Sequence, residues 1–107
     1  MSTRMSEYAY VWEFQVSAQH RLEFEKHYGE EGTWVALFRQ SPAYLGTILL
    51  QDRANPLRYV TIDRWRSKEA YLAFRTECAA QYEALDAVCE GLTVQEISLG
   101  HLEQLKP

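Results

Sequence analysis

The chain has little of what several common classes of protein require. Its 107 residues contain 11 Lys and Arg against 15 Asp and Glu, a formal net charge of −4 at pH 7. Nucleic-acid binding depends on clustered basic side chains, so this balance argues against that function. Apolar runs are short, as at Ile48, Leu49 and Leu50, and the segment 1–7 is polar, which predicts neither a membrane span nor a signal peptide. We expect a cytoplasmic protein with no membrane or nucleic-acid partner.

Cysteine and the familiar cofactor motifs are scarce too. Cys78 and Cys89 are the two cysteines, and a continuous helix between them would hold them roughly 16 Å apart, beyond disulfide reach. The sequence has no Walker loop, dinucleotide glycine fingerprint, HExxH, GxSxG or paired CxxC motif. We therefore expect reduced, packed thiols and neither a metal nor a cofactor.

Aromatic residues are abundant instead. Seven Tyr, four Phe and three Trp make up 13% of the chain. Such side chains combine a large apolar area with polar edges, which suits cores, subunit interfaces and pockets for flat organic ligands. Composition does not choose among these three uses.

Hydrophobic periodicity predicts six elements in the order βαββαβ. Alternating aromatic residues predict a strand over 8–16, and Ser17 can cap a first helix that is interrupted at glycines 29 and 32, restarts at Thr33 and stops before Pro42. Segments 44–51 and 58–65 predict an antiparallel hairpin joined by the turn 52–56. Ser67 caps a second helix that ends at Gly91, and 92–102 is the last strand.

This order is typical of an α+β, ferredoxin-like fold, with a four-stranded antiparallel sheet and both helices on one face. We predict a single domain over 1–107 with a core at about 8–102. Both faces of the sheet carry apolar residues, and the face without helices would be exposed in a monomer. A homodimer, sheet against sheet, is the simplest resolution; the alternative is a monomer with a mixed open face.

Polar residues within the predicted elements supply candidates for chemistry. His20 and His27 lie about two helical turns apart, too far for one metal ion, and either could act as a general base or be structural. Arg64 is expected to pair with Glu13 or Glu96 across the sheet or the dimer. Asp63 lies among aromatic residues, where its pKa could be raised, although an exposed position would explain it equally well.

Aromatic residues of both helices and the first strand can converge between the helices and the sheet. A filled aromatic core and a core that retains a cavity are both consistent with this set. A cavity so lined would suit a flat hydrophobic molecule. The set comprises Trp12, Phe14, Trp34, Phe38, Tyr71, Phe74 and Tyr82.

With these residues, the chain resembles the antibiotic biosynthesis monooxygenase-like branch of the dimeric α/β barrel superfamily. The resemblance spans residues 8–102. Its most recognisable piece is Trp65 at a strand end, before Ser67 and the aromatic Tyr71. The segments that carry it are 34–39 (WVALFR), 44–47 (YLGT), 62–67 (IDRWRS) with Tyr71 and Phe74, and 89–93 (CEGLT).

The resemblance implies a homodimer with a cavity in each subunit. In members with known activity it implies oxidation of polycyclic phenols by O₂ without metal, haem or flavin. The catalytic candidates are then His27, Asp63 and Tyr82, and the substrate-binding candidates are Trp12, Trp34, Phe38, Trp65 and Phe74. Related barrels that degrade haem carry a strand-one Asn, a helical Trp and an iron-binding His. Here strand one has no Asn, and Phe74 and Ala84 occupy the other two positions, which argues against haem degradation.

Three functional hypotheses follow. The first is a cofactor-independent monooxygenase acting on a small aromatic or polyphenolic compound. The second is a non-catalytic dimeric protein that binds a small molecule or has an accessory role. The third is an isomerase or lyase of a small ring compound that uses His27 or Asp63 as its base.

Overall fold

A computed structural model describes residues 7–105. The ends of the predicted domain 1–107, including most of the polar segment 1–7, lie outside the described residues. The elements are β1 (Tyr8–Val16), α1 (Arg21–Tyr28), α2 (Thr33–Phe38), β2 (Tyr44–Gln51), β3 (Arg58–Trp65), α3 (Lys68–Glu77), α4 (Ala79–Cys89) and β4 (Thr93–Glu103). No helix in this range is long and apolar enough to cross a membrane.

The four strands form one antiparallel sheet in the order β2-β3-β1-β4. The α+β, ferredoxin-like prediction is therefore confirmed. β1 lies in the middle and pairs with both β3 and β4, opposing Tyr8 to Trp65 and Phe14 to Tyr59. Side chains of these opposed pairs point to the same face, and that face packs against the helices.

Two aromatic clusters hold the helices on the sheet. At one end Trp65 is fully buried, and its ring lies 5.1–5.5 Å from four other rings, those of Phe38, Tyr44, Tyr71 and Phe74. At the other end Phe24 of α1 packs on Phe14 and Tyr59, with ring centroids 5.2 and 4.9 Å apart. The two clusters are separated along the sheet, so the space between the sheet and the helices is less tightly filled in the middle than at the ends.

β1 shows this gap directly. Tyr8, Phe14 and Val16 are buried on the helix side, but Tyr10 and Trp12, on the same face, are only partly buried. Alternation in the sequence predicts the face to which each ring points. It does not predict that the two central rings border an unfilled space.

β2 carries a register shift. Tyr44 pairs with Trp65 and Gly46 with Arg64, so Leu45 is an extra residue in β2. The extra residue brings Tyr44 and Thr47, three positions apart, onto the same face of the sheet. In a regular strand they would point to opposite faces.

Two helix predictions need correction. The second helix is kinked at Cys78 (φ −109°, ψ 24°), which separates α3 from α4, although hydrogen bonds from Cys78 N–H to Phe74 and from Tyr82 N–H to Cys78 run through the kink. Ser17 precedes a short 3₁₀ turn, Ala18–His20, and its side chain makes no capping bond. Both cysteines are free, as predicted.

The face of the sheet without helices carries apolar side chains bordered by ion pairs. Ile48 opposes Ile62 and Leu50 opposes Val60 across β2 and β3, and Ile48 and Leu50 remain 39% and 48% exposed. Leu102 of β4 pairs with Ala9 of β1 on this face, whereas Ile97 is separated from Val60 by Glu13, with which both are paired.

Within one chain, the predicted partners of Arg64 are wrong. Its guanidinium donates to both carboxylate oxygens of Glu7 at 2.8–3.1 Å. Glu13 instead accepts from Arg58 at 2.7 Å, and Arg58 also reaches Asp52 at 3.2 Å. Glu96 lies on the other face of the sheet, because it pairs with Phe14.

The capping of α3 by Ser67 can be tested by mutation. Its side chain accepts a hydrogen bond from Ala70 N–H at 3.1 Å at the start of α3, so Ser67→Ala should lower the free energy of unfolding by about 1 kcal/mol. Urea unfolding measures this. Ser17→Ala is the matched control and should change little, since Ser17 makes no capping bond. Equal losses in both variants would contradict the assignment.

Candidate active site

A cavity of about 300 Å³ lies between the sheet and the helices, in the gap between the two aromatic clusters. Seven of the fourteen residues in its wall are aromatic and come from β1 and the helices. Those rings belong to Tyr10, Trp12, Phe14, Tyr28, Trp34, Phe38 and Tyr82. Six polar residues complete the wall together with Val35: Thr47, Thr61, Asp63, Arg75, Asp86 and Glu96.

Strand pairing brings the polar residues of the sheet into this wall. Asp63 opposes Tyr10, and Thr61 opposes Trp12, in the β1–β3 ladder. Thr47 of β2 opposes Asp63 from the other side. A carboxyl group is thereby placed in the middle of the sheet, between Tyr10 of β1 and Thr47 of β2.

A short hydrogen-bond chain holds Asp63. The Thr47 hydroxyl donates to Asp63 Oδ1 at 2.7 Å, and the Tyr44 hydroxyl lies 2.5 Å from Thr47 Oγ1. Because Thr47 has a single hydroxyl proton and gives it to Asp63, Tyr44 must be the donor to Thr47. Oδ2 of Asp63 has no hydrogen-bond partner among residues 7–105 and is left to accept from a ligand.

Burial raises the pKa of the Asp63 carboxyl to about 6, against the opposing bond from Thr47. A carboxyl group with this pKa is mostly ionised at neutral pH yet is a stronger base than an ordinary Asp. It can therefore accept a proton from a weakly acidic O–H or C–H group in the cavity.

Arg75 of α3 is the basic residue of the wall. Its Nη1 donates to the Tyr71 hydroxyl at 3.0 Å, and its guanidinium carbon lies 3.8 Å from the centroid of the Tyr82 ring. That distance allows a cation–π interaction. Burial raises the pKa of the Tyr82 phenol, and the nearby Tyr71 raises it further, while Arg75 opposes the shift.

The α4–β4 side of the wall is acidic. Burial raises the pKa of Glu96, and the neighbouring Asp86 raises it further. A second depression of about 480 Å³ adjoins this side and shares Tyr28, Asp86 and Glu96 with the cavity. The cavity thus has a carboxylate pair on one side and an arginine on another.

Five of the eight predicted site residues line the cavity: Trp12, Trp34, Phe38, Asp63 and Tyr82. Three do not. His27 is buried, and its Nδ1 lies 2.7 Å from the Thr33 hydroxyl, where it links α1 to α2. Trp65 and Phe74 lie in the core cluster behind Phe38, which separates them from the cavity.

Sequence reasoning did not propose Tyr10, Arg75 or Asp86 as site residues. Arg75 follows Tyr71 by four residues and precedes Tyr82 by seven, the spacing of neighbours on one helical face, so a signal was present. An arginine on a helix is usually solvated, and Arg75 is itself exposed although it lines the cavity, so the sequence does not mark it as a site residue. Within residues 7–105 no group of three metal-ligating side chains converges.

Asp63 makes stability depend on pH. Since its pKa is raised from 3.8 to about 6, the folded protein keeps the proton to higher pH than the unfolded chain. The stability contributed by protonated Asp63 is fully present below about pH 3.8 and is lost as the pH rises to about 6. Relative to Asp63→Asn, wild-type stability should fall by up to about 3 kcal/mol between pH 4 and pH 7.

Urea unfolding across this range measures the effect. Asp52→Asn is the control of opposite sign, because the hydrogen bond from Ala54 N–H lowers the pKa of Asp52. Removing the Asp52 carboxyl should therefore cost stability at neutral pH and not at low pH. Parallel pH profiles for wild type and Asp63→Asn would contradict the environment assigned to Asp63.

Known proteins share this architecture. A crystal structure from Bordetella bronchiseptica, which carries an antibiotic biosynthesis monooxygenase description, superposes with a TM-score of 0.75 at 14% identity, over 94% of this chain and 99% of that one. SnoaB from Streptomyces nogalater, a cofactor-independent oxygenase, superposes with a TM-score of 0.65 at 22% identity, over 95% and 94%. Rv0793 from Mycobacterium tuberculosis gives 0.73 at 16%, over 95% and 98%.

At these identities the structural likeness shows the fold alone. No curated protein sequence matches the chain. The sequence itself matches the antibiotic biosynthesis monooxygenase family over residues 8–82, which covers three strands and most of the cavity wall. The chain belongs to the antibiotic biosynthesis monooxygenase family.

Proposed function

We propose that this protein is a cofactor-independent monooxygenase that oxidises a small, flat aromatic or polyphenolic compound. The observation that carries the proposal is Asp63, a carboxyl with a pKa raised to about 6 that faces an aromatic cavity of about 300 Å³. Family membership and the likeness to SnoaB, itself a cofactor-independent oxygenase, support the same class of reaction.

The reaction needs a base and a shaped apolar space. Asp63 accepts a proton from a methylene group next to an aromatic ketone, and the resulting carbanion is delocalised into the ring system. Electrons pass from this anion to O₂, a C–O bond forms, and cleavage of the O–O bond releases water and leaves a carbonyl. The balance is R₂CH₂ + O₂ → R₂C=O + H₂O, so the substrate supplies every electron and no external reductant is required.

Each part of the cavity has a role in this proposal. Trp12, Trp34 and Phe38 stack on the flat substrate and exclude water, which strengthens electrostatic interactions near Asp63. In this proposal Tyr82, whose ring lies against Arg75, donates its hydroxyl proton to a substrate oxygen. Trp65 and Phe74 act indirectly, because their rings support Phe38 at 5.5–5.6 Å.

We also propose that the protein acts as a homodimer through the face of the sheet without helices. Ile48, Leu50 and Leu102 are 39%, 48% and 53% exposed there and adjoin the partly buried Val60 and Ile62. Joining this face to its copy would remove a continuous apolar surface from water. The ion pairs of Arg58 and Arg64 border the surface and can set its register.

Oxygen uptake tests the reaction. With 1,8-dihydroxyanthrone as probe, whose central methylene is acidic, the wild-type protein should consume one O₂ per ketone formed in metal-free buffer. Asp63→Asn should lower kcat by about 10²–10⁴-fold, the usual contribution of a general base, with a smaller change in KM.

Glu103→Gln is the matched control, since Glu103 is an exposed carboxylate on β4 outside the cavity wall, and it should leave the rate unchanged. Exchange of the substrate methylene protons without oxygen, and with no uptake in air, would favour the isomerase hypothesis. Binding of the anthrone with its unchanged return would favour the non-catalytic one.

Sedimentation equilibrium tests the dimer. Ile48→Glu places a charge in the apolar surface and should convert the dimer to a monomer, because the buried carboxylate would lack a partner. Leu22→Glu is the control: Leu22 lies on α1 and is 74% exposed, so this variant should remain dimeric. A wild-type monomer at micromolar concentration would refute the proposal.

A further inference from the structure

Arg75 is a cation in the wall of the cavity, and no ion pair is formed by it within the described part of the chain. Three other arginines of residues 7–105 have carboxylate partners within 4 Å, namely Arg39, Arg58 and Arg64. Arg75 has no carboxylate partner within 4 Å among residues 7–105. The one hydrogen bond that its side chain makes with these residues goes to the neutral hydroxyl of Tyr71 at 3.0 Å. Its charge is therefore not neutralised by the described part of the protein.

The side chain is nevertheless held in place. The guanidinium carbon sits 3.8 Å from the Tyr82 ring centroid, and Nη1 is anchored by Tyr71. Tyr71 is 4% exposed and packs against Trp65 and Tyr10, so the anchor is rigid. A guanidinium has five N–H donors, and a single one is used here.

A fixed, unpaired guanidinium beside an aromatic cavity has the properties of an oxyanion-binding site. Arginine binds carboxylates and other oxyanions through two parallel N–H groups, and these charge-assisted bonds are stronger than neutral ones. The aromatic wall accommodates the flat part of the ligand, and a volume near 300 Å³ suits a molecule of about two or three fused rings.

We propose that the substrate is an aromatic compound with an ionised oxygen substituent, a carboxylate or an acidic phenolate, and that Arg75 binds this substituent and fixes the substrate's orientation. That the bound compound is a substrate rests on the proposed function. That Arg75 binds an anion does not depend on turnover.

The acidic side of the wall determines that orientation. Asp86 and Glu96 lie on α4 and β4, whereas Arg75 lies on α3. A ligand anion placed next to them would be repelled, so it is directed to the Arg75 side. The uncharged edge of the ring system then faces the carboxylates, and the anion forms its bonds with the remaining N–H groups of Arg75.

Three naphthalene probes of nearly equal shape test the charge preference: 2-naphthoate, neutral 2-naphthamide and the cation 2-naphthylmethylammonium. Isothermal titration calorimetry at pH 7.5 compares their binding to wild type, Arg75→Gln, Arg75→Lys and Arg66→Gln. Arg66 is exposed and lies outside the cavity wall, so Arg66→Gln changes the net charge equally and serves as the matched control.

Wild type and Arg66→Gln should bind 2-naphthoate about tenfold more tightly than 2-naphthamide, as expected for a charge-assisted hydrogen bond. Arg75→Gln should lose this preference and retain its affinity for 2-naphthamide, which also shows that the variant is folded. Arg75→Lys should keep part of the preference, because a lysine retains the charge without the paired N–H groups.

Tighter binding of the cation than of 2-naphthoate would overturn the proposal, since Asp86 and Glu96 would then dominate. So would unchanged 2-naphthoate affinity in Arg75→Gln, or no binding of any probe by wild type. These results are separable from the oxygen-uptake experiment. If wild type consumes oxygen but Arg75→Gln binds 2-naphthoate as tightly as wild type does, the anion-site inference alone is wrong. If Arg75→Gln loses the preference for 2-naphthoate but wild type consumes no oxygen, the monooxygenase proposal alone is wrong.

Discussion

The antiparallel pairing of β1 with β3 is the constraint on which the cavity depends. It opposes Tyr10 to Asp63 and Trp12 to Thr61, and so places aromatic and polar residues on the same face. A slip of one residue would turn Asp63 to the open face and bring Arg64 under the helices. The fully buried Trp65 and Tyr59 at the two ends of β3 oppose such a slip, since both would have to leave the core.

Much of the fold is readable in the sequence because it depends on short-range patterns. Alternation in β1 and the Ser67 cap are local signals, and both correspond to features of the structure. The kink at Cys78 has no such signal, since no Gly or Pro lies near it. Likewise, several carboxylates were available to Arg64, and sequence alone does not rank partners that lie far apart in the chain.

The cavity was harder to anticipate than the fold for a different reason. Whether Tyr10, Trp12 and Phe38 fill an interlayer or border a space depends on helix positions within a few ångströms, which periodicity does not encode. Of the aromatic candidates, Trp12, Trp34 and Phe38 line the cavity, and Trp65 and Phe74 lie behind it. Asp63 was identified because a carboxyl within an aromatic strand is chemically unusual wherever the helices lie.

The extra residue in β2 has a consequence for comparing relatives of this chain. Leu45 is the residue that brings Tyr44 and Thr47 onto one face, and this places the Thr47 hydroxyl beside Asp63. An insertion or deletion of one residue between positions 44 and 47 would leave every catalytic candidate in the alignment and still remove the donor to Asp63. A one-residue gap at the start of β2 is therefore as informative about the environment of Asp63 as a substitution of the carboxylate itself.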